Sequence, residues 1–426
     1  MKIVDIYFFI KGYLQAKIGV RFSRSSIHNF QKKRFKQFSY KTLSASRYYS
    51  QYVGKDIEHF PIMNKKIHME NFDQINTQNL SRDKALKIAI DSEKSRDFEP
   101  EYEGFSVGLS SGTSGNRGLF ILSSKERALW AGYIIGKMLP LTMKKQKVAF
   151  FLRANNHLYE TSNGLFLTFK FYDLLQGIEK NIQSLNTFSP SILIAPASVL
   201  KKIAESKAKI YPKRIISVAE VLEVADKEVI ENIFHVKVEQ IYQCTEGFLA
   251  ASCKQGGIHL NEDAYIIEKQ WIDKSTGRFS PIITDLNRVT QPIVRYLLDD
   301  VLIVKNEPCA CGSSMQRIEK IEGRCDDILL LKNIDNKKVD VFPDLIRNTI
   351  ISSCGSIEEY RLIQIEENTL QIQVSPYTGE IIQSLDDSLN RLWHRLSLVV
   401  PQCEYIEYQA TKIVQKQRRI VRKYHG

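Results

Sequence analysis

The run Ser110-Ser111-Gly112-Thr113-Ser114-Gly115-Asn116-Arg117-Gly118 has the composition of a phosphate cradle. Its glycines let the backbone approach an anion closely, and its hydroxyls can donate to phosphate oxygens. Arg117 adds a planar cation whose fork matches phosphate geometry. No Gly-Lys-Ser/Thr follows, which excludes a Walker loop, and the glycine spacing is not that of a dinucleotide fold. A second group of residues points to a metal. Cys253 and His259 are followed at a distance by Cys309-Ala310-Cys311-Gly312. Three thiolates and an imidazole form the closed tetrahedral set that structural zinc prefers, with no open position for catalysis. Cys244, Cys325, Cys354 and Cys403 lack such spacing.

The segment 150–160 leaves an apolar run and turns polar and aromatic, at the kind of strand end where α/β enzymes place ligands. His157 and Tyr159 are its candidates for contact with a substrate.

The glycine-serine loop resembles the signature loop of the adenylate-forming superfamily, the acyl-CoA synthetases and adenylation domains. There Ser/Thr-Ser-Gly-Thr-Thr/Ser-Gly is followed by a proline and a lysine. Asn116-Arg117 stand in that place here, and the departure points to the phenylacetate–CoA ligase branch, whose relatives include synthetases that adenylylate a deazaflavin coenzyme. Further motifs follow in order. Tyr242-Gln243-Cys244-Thr245-Glu246 resembles Tyr-Gly-x-Thr-Glu. The resemblance implies that Tyr242 and Thr245 contact the nucleotide and that Glu246 holds Mg²⁺, which neutralises phosphate oxygens. Arg295-Tyr296-Leu297-Leu298-Asp299-Asp300 resembles Arg-Tyr-x-x-Gly-Asp, which makes Asp300 the acceptor for the ribose hydroxyls, with Asp299 where glycine is usual. Gly323-Arg324-Cys325-Asp326 resembles Gly-Arg-x-Asp, implying a nucleotide contact from Arg324 and an interdomain hinge at Asp326. Lys416-Gln417-Arg418-Arg419 resembles the terminal Gly-Lys-x-x-Arg without its glycine. Lys416 would then reach the carboxylate and α-phosphate and offset charge as one anion attacks another. Ser217-Val218-Ala219-Glu220 takes the place of a Gly-Gly-Glu-Pro-like segment, implying that Ala219 lines the substrate pocket and Glu220 the nucleotide. The same relatives carry a similar Cys, His and Cys-x-Cys-Gly arrangement.

The elements that must position these residues are legible as texture. Residues 1–100 have helix-like spacing and read as a helical lead-in packed on a large domain. From about 105, short apolar runs at 107–109, 119–122, 148–152, 192–195, 215–218 and 238–241 alternate with helical segments at 126–138 and 219–234, which predicts α/β architecture. Residues 257–304 are β-rich with turns, predicting an antiparallel or mixed sheet. From 328 the pattern restarts: strands at 328–331, 360–365, 370–374 and 404–408 and helices at 344–352 and 381–396 predict a small α+β domain. The partition is therefore 1–100, a core of 101–326 carrying the zinc knuckle, and a mobile 327–426.

The 426 residues are 43% hydrophobic and 25% charged, the balance of a folded chain. The net +12 is uneven: residues 1–50 carry eleven Lys or Arg against Asp5 alone, and residues 411–426 carry six and no acid. The body between is mildly acidic, which argues against nucleic acid as the partner. No run reaches the ~20 apolar residues of a membrane span, and the short run 6–10 reads as a buried amphipathic helix. Seven cysteines without a secretion signal place the chain in the cytoplasm. The resemblance implies ATP-dependent activation of a carboxylic acid, preferentially aromatic, as an acyl-AMP, then transfer to coenzyme A, an acyl carrier protein or another acceptor. AMP transfer onto a hydroxyl-bearing cofactor or sugar, and a catalytically decayed zinc-stapled scaffold, are the alternatives.

Overall fold

The computed structural model describes residues 3–19, 21–95, 100–109, 118–139, 144–152, 167–174, 178–324, 327–409 and 418–424. The chain forms two compact units, one of Met1–Leu298 with Ile303–Lys320, the other of Asp299–Leu302 with Ile321–Gly426.

The first unit opens with helices α1 (Ile3–Gly19), α2 (Arg24–Lys41), α3 (Lys65–Glu70), α4 (Phe72–Ile75) and α5 (Arg82–Ser95). Ser23 caps α2 by accepting from the Ser26 N–H, and Asn64 caps α3 by accepting from the Ile67 N–H. Strands β1 (Glu101–Tyr102), β2 (Phe105–Leu109) and β3 (Leu119–Leu122) form an antiparallel sheet before α6 (Ser124–Met138). α1 lies against α6 through small residues. A Cβ on Gly132 would stand 1.9 Å from the Phe9 carbonyl oxygen, and one on Gly12 2.0 Å from that of Leu129. These backbones cannot part without opening the contact. Gly132→Val is therefore expected to lower stability by about 3 kcal/mol, whereas Gly379→Ala, where a Cβ would meet nothing, should leave the urea midpoint in place.

Because α1 meets α6 through Gly12 and Ala16 and packs Gly19 on Asp263, its large apolar residues point elsewhere. Ile6, Tyr7 and Ile10 are 42%, 62% and 51% exposed. The run 6–10 is helical, but the expectation that it is buried is corrected.

The doubly covered part follows: β4 (Gln146–Leu152), β5 (Leu167–Asp173), α7 (Glu179–Phe188), β6 (Ile192–Ala195), α8 (Ala197–Glu205), β7 (Arg214–Ser217), α9 (Val224–Phe234) and β8 (Val238–Cys244). Strands β5-β4-β6-β7-β8 are parallel in that spatial order. Ala149, Phe151, Leu193, Leu200 and Ile215 are fully buried in their core. Such unbroken apolar strands are what a sheet covered on both faces requires. Antiparallel strands continue the sheet: β9 (Gly247–Ser252), β10 (Ile258–Leu260), β11 (Tyr265–Asp273), β12 (Arg278–Asp285), β13 (Tyr296–Leu297), β14 (Asp300–Lys305) and β15 (Arg317–Arg324). Spatially β15 lies between β14 and β10. The helix expected over 219–234 begins at Val224, because Ala219 sits in the left-handed region at φ 66°.

The second unit comprises β16 (Leu329–Lys332), β17 (Lys338–Val341), α10 (Pro343–Ser353), β18 (Glu359–Glu366), β19 (Thr369–Ser375), α11 (Gly379–Arg395), β20 (Gln402–Glu407) and β21 (Ile420–Arg422). Its main sheet runs β20-β19-β18-β21, with β16-β17 as a separate ribbon. α11 brings Leu385, Leu389 and Trp393 onto this core, all fully buried. Among the described residues no helix is long and apolar enough to cross a membrane.

Candidate active site and metal knuckle

β7 and β8 are neighbours and parallel, with Ser217 level with Gln240. Residues that follow them therefore emerge at one carboxyl edge, where open α/β sheets bind ligands. Ala219 and Glu220 follow β7, Tyr242 lies near the end of β8, and Thr245 and Glu246 follow β8 there. The Glu220 carboxylate accepts from the Ser198 N–H in the first turn of α8 at 3.1 Å. Tyr242 is buried. Ser217 Oγ, buried at the same edge, has no hydrogen-bond partner among the described residues.

Ala219 holds its left-handed backbone without the freedom of glycine, which costs roughly 1 kcal/mol. Ala219→Gly is expected to raise stability by about that much, read as a higher urea midpoint.

Thr245 and Glu246 form the two-residue turn into β9, with Cys244 opposite Gly247. A Cβ at Gly247 would meet the Tyr265 ring at 2.7 Å, so only glycine lets the chain leave the turn here. The turn is held by Arg288, whose Nη1 donates to the Thr245 carbonyl at 2.9 Å and to the Glu246 carbonyl at 3.4 Å. Arg288 Nη2 reaches Gln291 Oε1 at 3.4 Å. Gln291 in turn accepts from the Ile121 N–H and donates to the Leu119 carbonyl, both at 3.0 Å. The buried Glu126 carboxylate accepts from the N–H groups of Val289 and Thr290 at 2.7 and 2.8 Å, and from the Thr290 hydroxyl. Glu126 also closes a capping box with Ser123 on α6. The loop 288–291 is thus tied to β3 and α6, and it fixes the backbone that carries Glu246.

Sequence reading missed this supporting loop. Its one visible signal was Ser123-x-x-Glu126, a capping-box spacing ahead of a helix.

Two buried groups beside the loop titrate in opposite senses. Burial, aided by Arg288, brings the His68 imidazole down to about 4 against the opposing Pro292 carbonyl and Glu246. Burial, aided by Glu126, raises the Asp285 carboxyl to about 6 against hydrogen bonds from Asn287 and Tyr265 and the Arg288 charge. As pH falls from 6.5 to about 4, the unfolded chain protonates its histidine first and stability is lost by roughly 3 kcal/mol. Over the fall from about 6 to about 4 the folded chain protonates Asp285 first and gains about the same. The wild type should be nearly flat over this interval. His68→Asn is expected to gain stability on acidification and Asp285→Asn to lose it, measured by urea unfolding at both ends of the interval.

Cys253, His259, Cys309 and Cys311 converge, with their four ligand atoms within 4.8 Å of one another. Cys253 Sγ is 3.6 Å from Cys309 Sγ, and Cys311 Sγ is 3.4 Å from His259 Nε2. His259 Nδ1 lies 3.1 Å from the Met315 carbonyl. A proton on Nδ1 directed there leaves the Nε2 lone pair facing the thiols, the usual arrangement behind a ligating histidine. Gly312 at φ 77° lets Cys309-Ala310-Cys311 turn tightly, its N–H donating to the Cys309 carbonyl at 3.0 Å. The Ser313 N–H points at Cys311 Sγ at 3.5 Å. Burial raises the Cys309 thiol, but the Cys311 N–H and the interactions with the His259, Cys311 and Cys253 side chains outweigh it and bring it down to about 6. Burial and the neighbouring sulfurs push Cys311 up to about 11. The first proton leaves readily and a later one does not, a mismatch that a divalent cation removes. The donor set fits a four-coordinate soft cation.

Other expected site residues stand apart. Asp300 opens β14, partly buried, in the second unit, and Asp299 before it is exposed. Arg295 binds Glu268 at 2.8 Å and the carbonyls of Glu58 and Phe60, tying the lead-in to β11. Arg324 ends β15. Ser110, Ser111, Gly112, Thr113, Ser114, Gly115, Arg117, His157, Tyr159, Asp326 and Lys416, and the Arg324 side chain, lie outside the described residues.

This strand order, with a parallel block extended by antiparallel strands and followed by a small α+β unit, is the fold of the adenylate-forming ligases. A structure of 2-hydroxyisobutyryl-CoA ligase in the postadenylation state with R3-HIB-AMP superposes with TM-score 0.66 at 18% identity, covering 94% of this chain and 89% of that one. Anthranilate CoA ligase with anthranoyl-AMP superposes at TM-score 0.51 and 14% identity, over 75% and 66% of the two chains. In sequence, phenylacetate-coenzyme A ligase of Thermus thermophilus is 26% identical over 245 residues, 51% of this chain and 53% of the ligase. The chain thus spans about half the length of that curated relative. No family model matches the chain.

Proposed function

We propose that the protein activates a carboxylic acid with ATP as an acyl-AMP and passes the acyl group to a thiol, coenzyme A first among the candidates. The observation that carries this reading is the Thr245-Glu246 turn, fixed by Arg288 at the carboxyl edge of the parallel strands within this fold. An acid oxygen attacks the α-phosphorus, the bond to the β-phosphate oxygen breaks, and pyrophosphate leaves. The acceptor thiolate then attacks the acyl carbonyl carbon and AMP departs with the bonding pair. Arg117 and Lys416 stabilise the charge that accumulates at the α-phosphate.

Residues 110–115, Glu220, Tyr242, Thr245, Asp300 and Arg324 bind the nucleotide, while Ala219, His157 and Tyr159 line the acid pocket. The unpartnered Ser217 hydroxyl at this edge fits a polar ligand. Glu246 would hold Mg²⁺, which supplies positive charge to the phosphate oxygens when bound. The knuckle takes Zn²⁺ as a structural ion. Asp326 is the hinge between a core of 101–326, preceded by the 1–100 lead-in, and the small domain of 327–426. The acid is aromatic in this reading, and the protein works in the cytoplasm.

ATP–pyrophosphate exchange across aromatic, fatty and amino acids tests the proposal, with Lys416→Ala as control. Acid-dependent exchange that the variant lacks supports it. A wild-type protein that binds ATP but exchanges with no acid of the panel would sink it.

A further inference from the structure

One surface is left unexplained by the ligase reading. On α1, residues Ile3, Tyr7, Ile10, Leu14 and Ile18 are spaced by four, three, four and four, which places them in one stripe. They are 86%, 62%, 51%, 49% and 53% exposed. The opposite face is the glycine-rich contact with α6, so the stripe of large apolar residues lies on the side of α1 that α6 leaves uncovered. Single exposed hydrophobic residues are ordinary, whereas a continuous row of five large ones marks an interaction surface. Beside the stripe lies a groove of about 380 Å³, lined by Ile10, Leu14, Ile18, Phe22 and Phe30 with Arg34.

The charge of the segment that carries this stripe points to what covers it, and Lys11 and Arg34 line the groove itself. Residues 1–50 carry eleven Lys or Arg and one acid, and Lys11, Arg21, Lys32, Lys33 and Lys36 are exposed. A second copy seated on the stripe would bring two strongly cationic segments together, which like-charge repulsion opposes. An anionic lipid surface offers both complements at once, acyl chains for the apolar row and headgroup phosphates for the bases.

We propose that the outer face of α1, flanked by the basic residues of α1 and α2, seats the protein peripherally on an anionic membrane surface. Ile10, Leu14 and Ile18 enter the acyl boundary while the lysines lie among the headgroups. Among the described residues no helix is long and apolar enough to cross the bilayer, and attachment through this face is reversible and depends on ionic strength.

Flotation of the full chain tests this, using vesicles of equimolar phosphatidylcholine and phosphatidylglycerol against vesicles of phosphatidylcholine alone. Wild-type protein is expected to float with the anionic vesicles, to be released by salt, and to stay in solution with the neutral ones. Ile10→Glu with Leu14→Glu should reduce the bound fraction about tenfold. Both positions are solvent-exposed, so circular dichroism should be unchanged. Lys32→Glu with Lys33→Glu and Lys36→Glu should do likewise through charge alone. A face that seats a second copy or an acidic protein instead leaves the wild type out of the floated fraction, and that overturns the proposal. Undiminished flotation of both variants overturns it as well.

Discussion

Glu246→Gln is expected to reduce acid-dependent ATP–pyrophosphate exchange by at least about a thousandfold. The substitution keeps the size of the side chain and removes its charge. The turn itself should survive, because Arg288 holds it by the carbonyls of Thr245 and Glu246 and not by the side chain. Far-ultraviolet circular dichroism and the urea midpoint should therefore match wild type, separating lost chemistry from lost fold. The Mg²⁺ concentration for half-maximal exchange should rise in whatever activity remains. Exchange within about tenfold of wild type would remove Glu246 from the catalytic role. Arg288→Gln should give a different signature. It leaves the carboxylate but frees the backbone beneath it, so activity and stability should fall together.

The second large effect concerns the knuckle. Purified protein is expected to hold one equivalent of zinc by elemental analysis, and Cys309→Ser to hold none and unfold about 10 °C lower or more. Cys253 comes from the chain between β9 and β10, His259 from β10 itself, and Cys309 and Cys311 from the chain between β14 and β15, with Cys253 and Cys309 separated by 56 positions. A cation joining them closes a long loop in the unfolded chain and adds its binding free energy to folding. A strong chelator should lower the wild-type transition and leave Cys309→Ser unmoved. Cys354→Ser, far from the set in sequence, serves as the control. Metal-free protein that melts like the variant from the outset would dispose of the staple.

The strands and helices of the second unit were legible within a residue or two because each is an amphipathic unit with its own period. α11 is typical, since Leu385, Leu389 and Leu392 repeat at three and four and all face one core. The short β17 and β21 were not, because three or four residues carry too little periodicity. The start of α9 was misread because apolar spacing runs on through Ala219, whereas the left-handed Ala219 and the extended Glu223 let the helix begin only at Val224. The face of α1 was misread for a related reason. Hydropathy reports which residues avoid water, but glycines at 12, 19 and 132 decided which side of the helix would be covered. The convergence of Cys253, His259, Cys309 and Cys311 was legible from residue type and spacing together with the family resemblance, since soft donors in pairs have few other uses. Apart from its capping-box spacing the network was not legible, because Glu126 and the Arg288–Gln291 loop are ordinary polar residues more than 160 positions apart, joined by the fold.

The placement of β15 has a consequence for synthesis. β15 is the last strand of its sheet to be translated, yet it lies between β14 and β10. Until residues 317–324 emerge from the ribosome, the sheet exists as two pieces, each with a bare edge where its neighbour should be. Unpaired edges of that length invite pairing with other chains. Cys309 and Cys311 are translated just ahead of the missing strand, so the knuckle can close on Cys253 and His259 and bring the two edges near each other as β15 arrives. Released chains truncated at residue 305 should accordingly aggregate, and those truncated at 345 should not.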